Sequence, residues 1–146
     1  MRKIKKVILH CSDSDVAAHD HISVIREWHT KRGFVGPDGI AGSEDDVGYH
    51  WFIDRNGGVA KGRDEKHIGA HAKGHNSDSI GVCLSGRTFP NPHTHQFTAA
   101  RALVVKILEQ YGLKKEDVYL HRTFDGGKPC PNFSLEFFWD GKPWLN

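Results

Sequence analysis

Two short aliphatic runs end in histidine, Val7-Ile8-Leu9-His10 near one end of the chain and Val118-Tyr119-Leu120-His121 near the other. Runs so brief and so apolar read as buried strands, because a core helix needs more length and a 3.6-residue period. Lys5 to Cys11 is the first such strand, stopped by the polar Ser12-Asp13-Ser14-Asp15. Ile22, Ile25 and Trp28 then recur at helical spacing, with Asp20 or Ser23 as cap and Gly33 as terminator. Tyr49–Asp54 and Val59–Lys61 flank Arg55-Asn56-Gly57-Gly58, and Asn-Gly is a strong hairpin signal. Ser79–Leu84 supplies another strand. The most amphipathic helix follows Thr98, its expected cap. Leu103, Val104, Ile107, Leu108 and Tyr111 share one face, and Gly112 ends it. Ser134–Trp139 reads as a short closing helix, whereas the Gly- and acid-rich Gly33–Val47 segment has no period and reads as a long loop. The expected fold is a single α/β domain over residues 1–146, a mixed central sheet of roughly five strands flanked by roughly three helices.

Composition narrows the classes of function. A chain of 146 residues is the size of one domain, large enough to bury a core without staples. Lys and Arg exceed Asp and Glu by only 20 to 18, without the basic footprint of a nucleic-acid binder. No apolar run approaches the length of a membrane span. The basic start carries only Val7 to Leu9 as an apolar stretch, shorter than a secretory signal requires, so synthesis in the cytoplasm without a signal peptide is expected. The 3 cysteines are odd in number and widely spaced, which argues against a disulfide framework. Histidine is the outlier, at 11 residues. It is the common neutral metal ligand and the near-neutral acid–base group.

So many histidines create accidental pairs. His19/His21, His71/His75 and His93/His95 have ligand spacing by number, yet His71-Ala-Lys-Gly-His75 lacks the glutamate of a zincin helix and contains a glycine. Spacing alone makes these polar loop histidines. His10 and His121 differ, because each closes a rigid strand, and two such strands side by side would put both imidazoles at one sheet edge. Cys83 and Cys11 read as buried small hydrophobes. Cys130, between Pro129 and Pro131 in a polar loop, does not, and a turn at Gly126-Gly127 can return its sulfur toward His121. Two histidines and a cysteine leave one tetrahedral position open, the pattern of catalytic zinc. Spacing by itself leaves a metal centre and a metal-free cluster as equal alternatives. A zinc nucleobase deaminase is excluded, for Pro129-Cys130 lacks the second cysteine and no His-x-Glu is present. Glu44-Asp45-Asp46 lacks the alternating ligands of a calcium loop and reads as solvated.

Six motifs then recur in order: Ile-Leu-His-Cys-Ser (8–12), Val-Gly-Tyr-His (47–50), Gly-Arg-Asp-Glu (62–65), Gly-Ala-His-Ala-Lys-Gly-His-Asn (69–76), Ser-Ile-Gly-Val-Cys-Leu (79–84) and Lys-Pro-Cys-Pro (128–131). Together they resemble the zinc-dependent N-acetylmuramoyl-L-alanine amidases, the family of bacteriophage amidases and peptidoglycan recognition proteins. The resemblance runs from about Val7 to Trp139. It implies one Zn2+ per chain at one sheet edge, held by His10, His121 and Cys130. It also implies Tyr49 and Lys128 as catalytic partners, and His71 and Asn76 beside the substrate groove. The implied reaction is hydrolysis of the amide between N-acetylmuramic acid and L-alanine, in a phage endolysin. Such a protein acts on the cell wall after membrane passage. The implied partner is bacterial peptidoglycan, with no nucleic acid, no integral membrane segment and a monomeric chain. A non-catalytic recognition module is the second reading; such relatives keep the groove and lose a ligand, so Cys130, Tyr49 and Lys128 favour catalysis. The Gly33–Val47 loop is longer than in compact phage members, and one extra residue separates His121 from Lys128, so groove shape is expected to differ.

Overall fold

Side-chain alternation along the first strand decides how the layers form. The computed structural model describes residues 2–127 and 129–139. In β1 (Lys6–Cys11), Val7, Leu9 and Cys11 belong to the main apolar core. His10 points to the opposite face, as the period of two requires. The remaining strands are β2 (Trp51–Ile53), β3 (Val59–Lys61), β4 (Ser79–Leu84) and β5 (Val118–Leu120), in the order β3-β2-β4-β1-β5. Among the described residues only β2 and β3 pair antiparallel; β1 lies parallel between β4 and β5.

Helices cover both faces. The long α2 (His95–Tyr111) buries Phe97, Ala100, Val104, Ile107 and Leu108 in the core formed by Val7, Leu9, Val82 and Leu84. Each fully buried large side chain stabilises the fold by about 1.5–3 kcal/mol. The short α4 (Leu135–Trp139) adds Phe138 and Trp139 to the same layer. On the other face α1 (Ile22–Lys31) packs Ile25 with Val47, Phe52 and Cys83 in a smaller cluster that Tyr49 borders.

The five strands match the expectation, and the helices number one more among the described residues, because His121 opens a single-turn helix, α3 (His121–Phe124), instead of a loop. The helix caps differ as well. Asp20 accepts the Arg55 amide at 3.0 Å, so His21 caps α1 through its Nδ1, which receives the Ser23 N–H at 3.0 Å. Thr94, not Thr98, caps α2, receiving the Phe97 N–H at 3.3 Å. Thr98 lies a turn inside, its own amide already bonded to Thr94 O at 3.0 Å. Gly112 ends α2 at φ 65°, a left-handed conformation that favours glycine.

The Gly33–Val47 segment is pinned by hydrogen bonds to side chains. Buried Asp46 accepts from Thr30 Oγ1 at 2.7 Å, Gly36 N at 3.0 Å and Gly42 N at 2.6 Å. Burial raises its carboxyl pKa, but these donors outweigh that and hold it below the usual value. Arg63 ties the same loop to the following segment, donating to Asp45 O at 2.9 Å and Ile68 O at 3.1 Å.

Candidate active site

Because β1 and β5 run parallel and adjacent, the residues that leave them emerge at the same edge of the sheet. The His10 and His121 rings lie 4.4 Å apart between centroids. The chain then turns back, and Arg122 clamps the return: its amide donates to Cys130 O at 2.8 Å and its guanidinium to Pro131 O at 2.7 Å. That clamp delivers the thiol, and the Cys11 amide donates to Cys130 Sγ at 3.1 Å. One potential ligand atom from each of His10, His121 and Cys130 lies within 4.8 Å of the other two. The two strand-end histidines and the loop cysteine therefore meet.

The chemistry of the three groups suits a soft divalent cation. Burial first, then the neighbouring His71 and His121 imidazoles, hold His10 well below its ordinary pKa, so it stays neutral with a lone pair to offer. The Cys130 thiol is pushed up, first by its hydrogen bond with Cys11 and then by burial. A cation beside that sulfur would reverse the balance and yield thiolate.

The Tyr49 ring sits 4.9 Å from the His10 ring and 5.3 Å from that of His29. Tyr49 precedes β2 rather than lying within it, held by the bond from His50 N to Gly81 O at 3.0 Å. Burial, followed by the nearby Cys83, Cys130 and Cys11, raises its pKa well above the usual value. Its hydroxyl is therefore a donor at neutral pH, not a base.

A groove of about 480 Å³ opens beside these residues, lined by His29, Phe34, Tyr49, His71, Asn76 and His121, with Arg32, Lys73 and Asp125 at its walls. Asn76 borders it, but its side-chain oxygen faces the backbone, accepting the amides of His71 at 2.9 Å and Ala72 at 2.8 Å. His71 is not a polar loop histidine: it is buried, with Nδ1 only 2.8 Å from His10 Nε2. Its spacing partner His75 goes elsewhere and stacks on Phe124 at 4.0 Å. Lys128 lies outside the described residues. His29, Arg32, Phe34 and Asp125 carry no local motif, and Lys73 figures only as part of the 69–76 motif; all five become groove walls only in the folded chain.

Two further histidines serve the frame. His29 Nδ1 accepts the Gly48 amide at 2.8 Å and His50 Nδ1 the Gly81 amide at 3.0 Å. Burial is the first cause that lowers both from 6.5 to about 4. Their contribution to stability is complete above the unfolded value and is lost as pH falls from 6.5 toward 4. At pH 5 each should cost about 2 kcal/mol relative to pH 7. Denaturant titrations at the two pH values check this, and an unchanged midpoint would contradict it.

Residues 1–133 match the N-acetylmuramoyl-L-alanine amidase family. The endolysin of Enterobacteria phage T3 is 36% identical over 141 residues, covering 92% of this chain and 84% of the relative. Among solved structures, the endolysine N-acetylmuramoyl-L-alanine amidase LysCS from Clostridium intestinale URNW superposes with a TM-score of 0.75 at 25% identity, covering 96% of this chain and 84% of that one. Drosophila PGRP-LB shares the fold with a TM-score of 0.75 at 22% identity, over 100% of this chain and 85% of its own.

Proposed function

The chain belongs to the N-acetylmuramoyl-L-alanine amidase family and is a peptidoglycan amidase, and from that premise we propose that its centre is a single zinc ion held by His10, His121 and Cys130. The observation that carries the proposal is the convergence of those three donors within 4.8 Å at the head of the groove. Two imidazoles and one sulfur suit zinc, and three protein ligands leave a position open toward substrate. A zinc ion bound there would polarise the scissile carbonyl and make water nucleophilic near neutral pH.

The remaining roles belong to the chain itself. Tyr49, protonated beside His10, donates a hydrogen bond that orients the attacking water or the developing oxyanion. Lys128 shares that task on the strength of the family resemblance. Asn76 fixes the 71–76 turn, and so the groove wall, through its two amide contacts. His71 borders the same groove. Arg32 and Lys73 place positive charge along a channel that takes a carboxylate-bearing stem peptide. The proposed setting is a phage endolysin, working as a single chain on the cell wall after crossing the host membrane. No helix among the described residues is long and apolar enough to span a membrane.

The bond broken provides the test. Digestion of purified cell walls should release new amino groups with L-alanine at the new N-terminus, leave reducing sugar at background, stop with a chelator and resume with zinc. Retaining glycosidases instead need two carboxylates about 5–5.5 Å apart. New reducing ends without new amines would make the protein a glycosidase, and tight wall binding without release would make it a recognition module.

A further inference from the structure

A chain of hydrogen bonds runs away from His10 into the protein. His10 Nε2 meets His71 Nδ1 at 2.8 Å, His71 Nε2 meets Ser79 Oγ at 3.2 Å, and the Ser79 hydroxyl donates to His75 O at 2.7 Å. His10, His71 and Ser79 are all buried. The last acceptor sets the direction of every other bond, because a carbonyl cannot donate. Ser79 spends its only proton on His75 O, so it must accept from His71 Nε2–H. His71 Nδ1 is then the lone pair, and it must accept from His10 Nε2–H. What remains on His10 is Nδ1. The opposite polarity would give up the Ser79–His75 bond, the shortest of the three.

The cradle for the His71 ring is built by two glycines. A Cβ on Gly81 would lie 2.7 Å from the ring's Cδ2, and one on Gly69 would also lie 2.7 Å from Cδ2. The Asn76 oxygen accepts the backbone amide of His71. We propose that His71 and Ser79 are positioning residues that lock His10 as the Nε2–H tautomer and leave its Nδ1 as the atom offered to the metal. This rests on the zinc-centre reading. Outer partners of this kind orient a ligand and raise its basicity, and losing one typically costs about 10–100-fold in metal affinity.

The test reads the metal, not only turnover. In the full chain loaded with cadmium-113 and labelled with nitrogen-15 histidine, the metal should couple to His10 Nδ1 while Nε2 carries a proton. Coupling to Nε2 overturns the proposal without any mutation. By chelator competition, His71→Leu should bind zinc about 10–100-fold more weakly. Ser79→Ala should weaken it in the same direction. His71→Asn should recover most of the loss, since its amide oxygen can stand where Nδ1 stood. Parent affinity in a folded His71→Leu protein overturns the relay, provided Cys130→Ser does lose the metal. Parent affinity in Cys130→Ser overturns the zinc centre itself.

Discussion

Cys130→Ser should lose zinc and amidase activity together, with metal content falling from about one ion per chain to background. A neutral hydroxyl cannot replace a thiolate as a zinc ligand, and two imidazoles alone hold the ion weakly. The fold should survive, because Cys130 is only half-buried and the Arg122 clamp acts through backbone carbonyls. Cys83→Ser is the informative control. Cys83 lies wholly in the smaller apolar cluster, so a hydroxyl there costs roughly 1–3 kcal/mol of stability yet leaves the metal in place. Cys11→Ser also keeps the metal, since the contact it makes with Cys130 Sγ includes its backbone amide. Elemental analysis of folded protein, paired with a cell-wall clearing assay, decides the matter. Full occupancy and full activity in Cys130→Ser would refute the ligand assignment.

Tyr49→Phe separates the metal from the chemistry. The ring that packs near His10 and His29 stays, and only the hydroxyl goes, so zinc content and KM should hold near the parent values. Turnover should drop about 10²–10³-fold, the usual cost of removing one donor to a developing oxyanion. Lys128→Ala is expected to behave alike. Because burial keeps the Tyr49 proton in place well beyond neutrality, the defect should be constant from pH 6 to 9 instead of following a titration. Single-turnover measurements at saturating substrate supply the number. Parent turnover in Tyr49→Phe would remove it from the mechanism.

The sequence by itself determined the strands and the two amphipathic helices, and it singled out His10, His121 and Cys130, because each has a local signature. Val7-Ile8-Leu9 and Ser79–Leu84 are apolar enough to be strands anywhere, and a histidine at a strand end inherits a fixed position. Cys130 stood out since a cysteine between prolines in a polar loop fits no apolar pattern. Cap positions were less legible. Thr94 and Thr98 carry the same chemistry a turn apart, and the choice depends on where α2 meets the core. Only the tertiary structure shows that His71 meets His10. Its bond to His10 joins residues 61 apart in the chain, and the bond from Cys11 to Cys130 joins residues 119 apart. Such pairings follow from the parallel order β4-β1-β5, which sets Gly81 opposite Ile8 and His10 opposite Cys83. Ser79 opens the 79–84 motif, yet nothing local says that its hydroxyl meets His71. Propensity and periodicity act over a few residues, whereas the direction of a buried hydrogen-bond chain is fixed by whichever carbonyl the fold puts at its end.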